Sequence, residues 1–457
     1  MLFAEVAVDT YQDPRKKLFT YQIPSHLDKE VKPGATVVVP FGRREVKGYV
    51  WKRVSKRPPF PTKPIQTVKA QSFSDNQLQL AHWMAEYYLG SPLECLKCQL
   101  GKKGEQERTA PLGQIDTLIL LPYASQVKIR ALTAKKAGET VLVGSRSAVF
   151  APLPRLKKII VEEPENWNYK DERAPYYHAA AAAQKRSEIE GLEIEFKSFF
   201  PTVEAFAEGS KSLPETGPIQ VVDLSLEKSA GNFTFLSQEL EKALQQRRKL
   251  IIYASSRILK DSVMEEALKT GADRSFFEVF GPELLSMPGK EADQVFWVDV
   301  DTLLNLPDFR AHEKLIGTAA KLSQLTRSDL IVQTAYPHHP LIRDLTGKDL
   351  SGFYGRELKN RGELGYPPFS KLIKLSYTSK SPAQVNLEAE KLFAAISSLL
   401  PDQSSPPYEP YLKSPGKSQL NLAVKIRIGS QSEDRLAKLS EVIPPEWRVE
   451  VDPESLL

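Results

Sequence analysis

The distribution of apolar and β-branched positions predicts strands in the first 70 residues. Val37, Val38 and Val39 form one β-branched run, and such residues favour extended backbone. A second run, from Val46 to Val54, alternates its side chains between two faces, as a strand does. The segment 56–64, KRPPFPTKP, contains too many prolines for a helix or a central strand and is predicted as a stiff loop.

The next apolar patterns predict a helix and then two parallel sheets. The helix is expected from Asp75, taken as its N-cap, through LQLAHWMAEYY, and residues 101–114 are predicted to be a linker. Up to about residue 345, near-continuous apolar runs alternate with helical segments, which is typical of parallel sheets covered on both faces. The predicted strands are TLILLPY, ETVLVG, KKIIVEE, KLIIYAS, QVFWVDVD and DLIVQTAY.

The last part of the chain predicts a separate small domain. From about Ser370, strands and helices alternate as strand, helix, strand, helix, strand, up to the final EVDPESLL. The expected fold class is therefore multi-domain α/β. It comprises a β-rich N-terminal domain, two lobes built on parallel sheets, and a small α+β C-terminal domain.

Composition excludes several classes of protein. The chain has 457 residues, of which 41% are hydrophobic and 26% charged, as expected of a soluble globular protein with roughly three domains. No apolar run reaches the length of about 18 residues that a membrane span needs, and the first residues lack the pattern of a secretory signal. Two cysteines exclude a disulfide scaffold and favour the reducing cytoplasm as the location.

The charge of the chain is unevenly distributed. The net charge is +5, yet residues 1–70 hold 14 Lys and Arg against 6 Asp and Glu, a balance of +8 that leaves −3 on the other 387 residues. A basic N-terminal module favours an anionic partner, with nucleic acid first. A basic face that only increases solubility is the alternative.

One face of the second predicted strand combines aromatic and basic side chains. Alternation places Lys47, Tyr49, Trp51 and Arg53 on that face. Two aromatics beside two cations have the composition of a surface on which unpaired bases stack. A solvated face, whose aromatic rings cover apolar surface while their polar ends reach water, explains the same pattern.

Short motifs along nearly the whole chain resemble those of one family. In order, they are PRKKLFTYQIP, VVVPFGRRE, AEYYLGSPL, GSRSAVFAPL, KKIIVEEPENWNYKDERAPYYHA, VDVDTLLNLPDFRAHEK, DLIVQTAYPHHPLI, ELGYPPFSKL and VEVDPESLL. Each motif alone is weakly specific, but their shared order resembles the PriA family of replication-restart helicases. The resemblance implies that the parallel sheets are two RecA-like helicase lobes, and that the partner is DNA with forks, 3′ ends or single strands.

The resemblance also implies a pocket for the 3′ end of a DNA strand. The matching positions are Phe19, Thr20, Tyr21, Gly42 and Lys63. An aromatic would stack on the terminal base, a glycine would let the backbone approach the sugar, and a lysine would meet a phosphate. The family has an aspartate where Thr20 stands. Because threonine repels a 3′-phosphate little, weaker selection of a 3′-hydroxyl is expected.

The motor motifs of the family are altered in this sequence. A phosphate cradle of the form G-x-x-x-x-G-K-[ST] is absent before TLILLPY, and Gly416-Lys417-Ser418 is predicted to be a loop because it lacks the strand–loop–helix setting. The family's Asp-Glu-Glu-His box appears as Glu162-Glu163-Pro164-Glu165, and its arginine finger falls at residues 321–326. Losing such a finger costs ~10³–10⁵ in rate. We expect no ATP hydrolysis and neither ATP nor Mg²⁺ as a cofactor.

The zinc module of the family is expected to be missing as well. No cysteine lies between Lys249 and Arg310, where the family carries its cysteine cluster. Cys95 and Cys98 form a lone C-x-x-C, which is either half of a tetrahedral site or a pair of buried thiols. No metal is expected.

Some lobe residues resemble DNA-contacting elements of the family. Arg146 could hold a phosphate. An aromatic-rich loop that senses DNA in the family corresponds to Trp167, Tyr169, Lys170, Tyr176, Tyr177 and His178. Packing between the lobes is the alternative for these aromatics. The block 299–313 is predicted to be structural, with Asp–Arg pairing between a strand end and the next helix.

These expectations give five domains and three candidate functions. The domains are 1–70, binding 3′ ends; 71–114, a helix and linker in place of a winged helix; 115–222 and 223–369, the altered lobes, the second with a linker helix; and 370–457, the α+β domain. The leading hypothesis is a primosomal protein that binds branched or 3′-ended DNA in replication restart without hydrolysing ATP. Other primosome or single-strand-binding proteins are further candidate partners, and no membrane is expected. The alternatives are an active 3′–5′ DNA helicase and a protein-interaction subunit with a vestigial DNA surface.

Overall fold

A computed structural model of the chain describes residues 2–10, 18–100, 104–210, 217–229, 234–347, 349–413 and 415–457. The chain forms two compact units. One comprises Met1–Lys197 and Leu372–Pro453, and the other comprises Ser198–Lys371 and Glu454–Leu457. Among the helices described, none is both long and apolar enough to cross a membrane.

The N-terminal β domain is a five-stranded sheet in the order β2-β1-β4-β3-β5. Its strands are β1 (Leu2–Val8), β2 (Leu18–Ile23), β3 (Ala35–Phe41), β4 (Arg44–Val54) and β5 (Thr67–Gln71). The two β-branched runs predicted as strands lie in β3 and β4, and all neighbouring pairs are antiparallel. The inward valines of β1, β3 and β4 form the core of this domain.

Two helices follow the sheet. The first, α1 (Asp75–Tyr87), begins after Ser74, whose hydroxyl accepts a hydrogen bond from the Gln77 backbone N–H. The Gln77 side chain in turn accepts from the Ser74 backbone N–H. This capping box makes Ser74 the N-cap, one residue before the predicted Asp75. A second capping box begins α2 (Pro92–Gln99).

The first parallel sheet has the order β10-β9-β7-β8-β6. Its strands are β6 (Gln106–Arg108), β7 (Thr117–Leu120), β8 (Val141–Gly144), β9 (Lys158–Glu162) and β10 (Glu193–Lys197), and its helices are α3 (Ala124–Lys136) and α4 (Ala179–Glu190). The first three predicted apolar runs form β7, β8 and β9, which are parallel. Strand β6 pairs antiparallel with β8. The described part of the predicted linker 101–114 therefore contains a strand.

The second parallel sheet has the order β11-β15-β14-β12-β13. Its strands are β11 (Ile219–Asp223), β12 (Leu250–Tyr253), β13 (Phe277–Phe280), β14 (Gln294–Trp297) and β15 (Leu330–Thr334). Its helices are α5 (Val203–Ala207), α6 (Leu224–Ser229), α7 (Gln238–Leu244), α8 (Arg257–Lys269), α9 (Val300–Leu304), α10 (Ala311–Ser323), α11 (Pro340–Gly347) and α12 (Ser351–Leu364). The other three predicted runs form β12, β14 and β15. Because β11 pairs with β15, the predicted lobe boundary at residue 222 falls inside a strand of the second sheet.

The C-terminal domain has the predicted alternation of strands and helices. Its elements are β16 (Ser370–Ser379), α13 (Pro382–Leu399), β17 (Ser418–Arg427), α14 (Ser432–Val442) and β18 (Arg448–Val451), with sheet order β17-β16-β18. Gly416, at φ +72°, lies in a turn that leads into β17 rather than into a helix, so the predicted loop is confirmed for Gly416 and Lys417, while Ser418 begins the strand. The fold class is the multi-domain α/β class that the sequence predicts.

Candidate nucleic-acid interface

The N-terminal sheet is almost closed into a barrel by the segment before β5. The backbone N–H of Gln22, in the edge strand β2, donates to the carbonyl of Lys63 at 2.9 Å, and the N–H of Ile65 donates back to Gln22 at 3.0 Å. The N–H of Gln66 then donates to Val38 of β3 at 3.0 Å. Residues 63–66 therefore link the two sides of the sheet. The open end of the barrel beside them, lined by Phe19, Phe41, Gly42 and Lys63, is called the mouth below.

Four residues of the mouth lie together. The rings of Phe19 and Phe41 meet edge to face, with centroids 5.1 Å apart and planes at 83°. The ammonium of Lys63 donates to the carbonyl oxygen of Gly42 at 3.3 Å. The structure thus brings together Phe19, Gly42 and Lys63, as the resemblance implied, and adds Phe41, which the sequence reasoning missed although it adjoins Gly42.

Gly42 leaves open space at this mouth. Its φ is +61°, a left-handed conformation that favours glycine, and a Cβ built on it would meet no protein atom within 4 Å. The backbone conformation of the turn therefore favours glycine at this position, and no neighbouring side chain fills the space beside it. A ligand backbone can approach the chain closely at this point.

Tyr21 does not face the mouth as a ligand-stacking ring. It is buried in the barrel core, where its hydroxyl donates to the carbonyl of Pro40 at 3.2 Å. Burial raises the pKa of Tyr21 to about 12. Its predicted DNA contact is corrected to a positioning role, because the hydrogen bond fixes the backbone two residues before Gly42.

Thr20 lies between the two inward residues of β2. Side chains alternate along a strand, so Thr20 points to the opposite face from Phe19 and Tyr21. It is half-buried and pairs in register with Glu5 of β1. Thr20 is therefore next to the mouth in sequence but on the outer surface of the barrel.

The predicted stacking surface on β4 is wrong for its two aromatics. Tyr49 is 2% exposed and Trp51 is 7% exposed. Trp51 stacks on His82 of α1, and Tyr49 packs edge to face on Phe73 at 5.4 Å. Helix α1 covers the face that the sequence left open, so neither ring can stack on a base.

The two cations of that face have different surroundings. Arg53 donates to the carbonyl of Asp28 at 2.9 Å and to its carboxylate, and also reaches the carbonyl of Val31 at 3.4 Å. It therefore stabilises the barrel rather than offering a free charge. Lys47 is exposed, and its ammonium lies 4.9 Å from the centre of the Tyr49 ring.

Other basic side chains of the barrel are free. Within the described part of the chain, Arg43, Arg44, Lys56 and Arg57 are exposed and make no ion pair. Arg43 and Arg44 follow Gly42 directly, while Lys56 and Arg57 open the proline-rich loop that ends at Lys63. The excess of Lys and Arg in residues 1–70 already signalled such groups, although it did not identify them.

The N-terminal part of the chain is similar to a known DNA-binding domain. Residues 5–101 match the 3′DNA-binding domain (3′BD) of PriA. Curated relatives include the replication restart protein PriA of Synechocystis sp., 24% identical over 382 residues, and that of Thermotoga maritima, 23% identical over 343 residues. The alignments cover 58% and 53% of this chain and 46% and 47% of those relatives.

The chain is similar to PriA proteins over more than half of its length, and the family model matches its N-terminal part. Replication restart protein PriA of Bacillus subtilis is 23% identical over 361 residues, which are 55% of this chain and 45% of the relative. The chain thus spans about half the length of the curated PriA proteins it matches. The matched 3′DNA-binding domain contains the barrel and the two helices packed on it.

The aromatic loop that resembles a DNA sensor of PriA is largely buried inside the first unit. The Tyr169 hydroxyl donates to the carbonyl of Glu162 at 2.7 Å, and its ring is fully buried. Tyr177, 2% exposed, packs edge to face on Phe150 at 5.0 Å. Trp167 stays half-buried, with its ring 5.7 Å from that of His178. The predicted DNA contacts of Tyr169 and Tyr177 are therefore corrected to core positions.

Two cations of the same region have internal partners. The Lys170 ammonium is buried and donates to the carbonyls of Val451 and Asp452, the latter at 3.0 Å. Arg146 donates to the carbonyl of Lys170 at 2.6 Å and lies 3.6 Å from the Asp171 carboxylate. Both side chains make contacts within the first unit, which corrects the prediction of Arg146 as a phosphate ligand and of Lys170 as a DNA contact.

The positions that correspond to motor motifs of PriA have other surroundings in this chain. The segment before β7, where a phosphate cradle is expected, has no G-x-x-x-x-G-K-[ST] motif, and its described part contains strand β6 rather than a glycine-rich loop that leads into an α-helix. In the altered box, the Glu162 carboxylate accepts from Arg130 at 3.3 Å, and Glu163 accepts from Asn166 at 2.9 Å. Both carboxylates are engaged by protein donors, as structural residues would be.

The cysteines do not fit a zinc site. Cys95 is fully buried, and the Cys98 thiol donates to the Cys95 carbonyl at 3.1 Å. Burial raises the pKa of both thiols, which disfavours the thiolate that zinc binds. Among the residues that the structure describes, no group of three His, Cys, Asp or Glu side chains is arranged to hold a metal.

The block 299–313 is structural, but its pairing differs from the prediction. Arg310 pairs with Glu204 at 2.6 Å and with Glu313 at 3.3 Å, rather than with an aspartate. Arg361, 1% exposed, adds a second ion pair to Glu313 at 3.0 Å. Asp299 instead accepts from the backbone N–H of Ser255 at 3.0 Å, joining β12 and β14 at their carboxyl ends.

Proposed function

We propose that this chain binds the 3′ end of a DNA strand at the barrel mouth and acts in replication restart without hydrolysing ATP. The observation that carries the proposal is the open space at Gly42, beside the ammonium of Lys63 and the ring of Phe19. The ring offers a face or edge to the terminal base, the glycine admits the sugar, and the ammonium meets a phosphate. The match of residues 5–101 to a 3′DNA-binding domain supports the same assignment.

The free cations around the mouth support binding to the phosphate backbone. Arg43, Arg44, Lys56 and Arg57 are exposed and form no ion pair among the described residues. Each such group that neutralises a phosphate releases condensed counterions, which favours binding independently of sequence. Affinity then depends on the presence of a strand end and on salt, not on the base sequence.

Thr20 bears on which strand ends are accepted. The resemblance to PriA implies that it stands where that family has an aspartate, while its side chain points to the outer face of β2, away from Phe19. A threonine at this position carries no charge that would repel a 3′-phosphate at the mouth. The proposed site therefore tolerates both kinds of end.

The absence of ATP hydrolysis is supported by the same structural facts that argue against a nucleotide site. The segment before β7 lacks a G-x-x-x-x-G-K-[ST] motif, and Glu162 and Glu163 are engaged by protein donors. The described residues at these positions do not form a ligand set for Mg²⁺ or zinc, and the proposed function requires neither ion. Other primosome proteins and single-strand-binding proteins are proposed as partners on the family resemblance alone.

The experiment that tests the proposal compares two glycines. Gly42→Asn fills the open space with a residue that tolerates positive φ, and Gly138→Asn does the same at φ +73° in another open position, after α3. Both variants of the full chain are titrated by fluorescence anisotropy into fork DNA with a free 3′ end. We expect roughly tenfold weaker binding for Gly42→Asn alone, about 1.4 kcal/mol. Equal affinities for both variants would remove the mouth as the DNA site.

A further inference from the structure

The loop between β4 and β5 presents an exposed aromatic ring. Phe60 is 55% exposed, which makes it stand out from the buried or half-buried aromatic side chains in the described barrel residues 2–10 and 18–71. Burying a phenylalanine ring stabilises a fold by about 1.5–3 kcal/mol, and this ring forgoes most of that gain. Single exposed apolar residues are common on protein surfaces, so the surroundings of Phe60 decide whether it has a function.

The backbone around Phe60 is stiff. Prolines stand at positions 58, 59, 61 and 64, two of them directly beside Phe60. Each proline ring fixes its own φ and restricts the residue before it. Phe60 is therefore held with little backbone freedom, so that little conformational entropy is lost when a ligand stacks on it.

The same loop is tied to the barrel mouth at its far end. Lys63, three residues after Phe60, accepts from the Gln22 N–H at 2.9 Å and donates to the Gly42 carbonyl at 3.3 Å. Three residues of extended, proline-rich chain span about 9 Å. Nucleotides in a stacked strand follow one another at about 3.4 Å. Phe60 thus lies within reach of a base two or three nucleotides away from one held at the mouth.

Cations flank the ring on both sides. Lys56 and Arg57 precede it and make no ion pair among the described residues, and Lys63 follows it. An aromatic between cations, along a line that leads to a pocket for a strand end, matches the combination of stacking and phosphate contacts by which single strands are bound.

We propose that Phe60 stacks on an unpaired base two or three nucleotides before the 3′ end, which extends the terminal pocket into a short single-strand track. This inference rests on the proposed function of the mouth and deepens it. It names the ligand as a single-stranded 3′ tail rather than a fully paired end.

The test uses the full chain and a duplex with a six-nucleotide 3′ tail. Phe60→Leu keeps an apolar side chain but removes the ring, and Phe60→Trp keeps a stacking ring. We expect binding to weaken roughly 5- to 150-fold for Phe60→Leu, the range typical of removing one base–aromatic stack, and to be retained for Phe60→Trp. Because Phe60 is exposed, both variants should melt at the same temperature as the parent chain.

A second tail, with abasic sites at the second and third nucleotides from the 3′ end, isolates the stacking itself. On this tail the parent chain and Phe60→Leu should bind equally, since neither has a base to stack on. An equal loss on both tails, or no loss on either, would overturn the inference. If Gly42→Asn weakens binding while Phe60→Leu does not, only the track fails. If neither variant weakens it, the proposed function fails as well.

Discussion

The ring of Trp51 in β4 stacks on the ring of His82 in α1, with centroids 3.9 Å apart and planes only 3° from parallel. This stacking joins the barrel to the helix that covers it. The ring that was predicted to stack on DNA bases is therefore already in contact with a protein side chain. The Trp51 ring therefore stabilises the packing of α1 on the barrel. Replacing it would affect DNA binding only indirectly, through a change in the fold.

Trp51→Ala should destabilise the first unit. Removing a buried tryptophan leaves a cavity under α1, and such truncations cost about 3–5 kcal/mol in free energy of unfolding. Thermal and urea denaturation would measure the loss, with exposed Lys56→Ala as the control, which should change stability little. An unchanged melting temperature combined with weaker DNA binding would contradict the stack and return Trp51 to the interface.

His82 should make stability depend on pH. Burial, aided by the nearby Lys52 charge, lowers the pKa of His82 below 6.5, although the backbone of Trp51 and the charge of Glu86 oppose the shift. The unfolded chain then binds the proton more readily, so the stabilisation present above about pH 6.5 is lost as the pH falls toward the folded pKa.

The matched variant for this effect is His82→Phe, which retains a stacking ring but cannot titrate. Between about pH 7.5 and 5.5, its free energy of unfolding should fall less steeply than that of the parent chain, because the histidine contribution is gone. Urea titrations at several pH values would show the difference. Parallel curves for the two proteins would mean that His82 does not titrate differently in the folded state.

Reversing the free cations should weaken DNA binding without unfolding the barrel. For Arg43→Glu combined with Arg44→Glu, we expect lower affinity for all sequences and a salt slope reduced by about 0.9 for each phosphate that is no longer neutralised. Arg53→Glu is the contrasting variant, because Arg53 is bonded to Asp28 and Val31 and its replacement should lower the melting temperature. An unchanged salt slope in the double variant would place the phosphate contacts elsewhere.

Thr20→Asp should sharpen selection of the strand end. A carboxylate at this position, one residue from Phe19 on the outer face of β2, repels a 3′-phosphate at the mouth through like charge, which requires no direct contact. Anisotropy titrations with matched 3′-hydroxyl and 3′-phosphate forks should show a larger ratio of affinities than in the parent chain. Thr20→Asn provides the uncharged control. The same ratio in all three proteins would separate Thr20 from the end-binding site.

The chain should show no DNA-stimulated ATPase activity. The segment before β7 lacks the G-x-x-x-x-G-K-[ST] motif of a phosphate cradle. Turnover would be measured with Mg²⁺ and fork DNA on a preparation whose fork binding is demonstrated in parallel. A rate near ~1 s⁻¹, within the usual range of enzymes, would favour the helicase alternative.

The sequence by itself determined the β domain, the two parallel sheets and the α+β domain. Apolar runs of strand length between helical segments are a local property, and the runs that form β7, β12 and β15 could be identified without any knowledge of their partners. The order of short motifs likewise indicated the similarity to PriA proteins, and the excess of Lys and Arg indicated the basic N-terminal module. These features depend on residues that are close together in the sequence, so they can be predicted without knowledge of the tertiary structure.

Only the tertiary structure decided which side chains are free to meet DNA. Alternation along β4 separates two faces, but it does not reveal that α1 covers the one with Tyr49 and Trp51. A register shift against β1, between Glu5 and Val6, lies opposite Trp51, and both Val50 and Trp51 are buried there. Burial depends on contacts between elements that are far apart in the chain. Lys170 is a second example, because its ammonium is buried where it donates to the carbonyl of Val451. The mouth at Gly42 and Lys63 likewise depends on contacts between distant residues, because it forms only where residues 63–66 close the barrel.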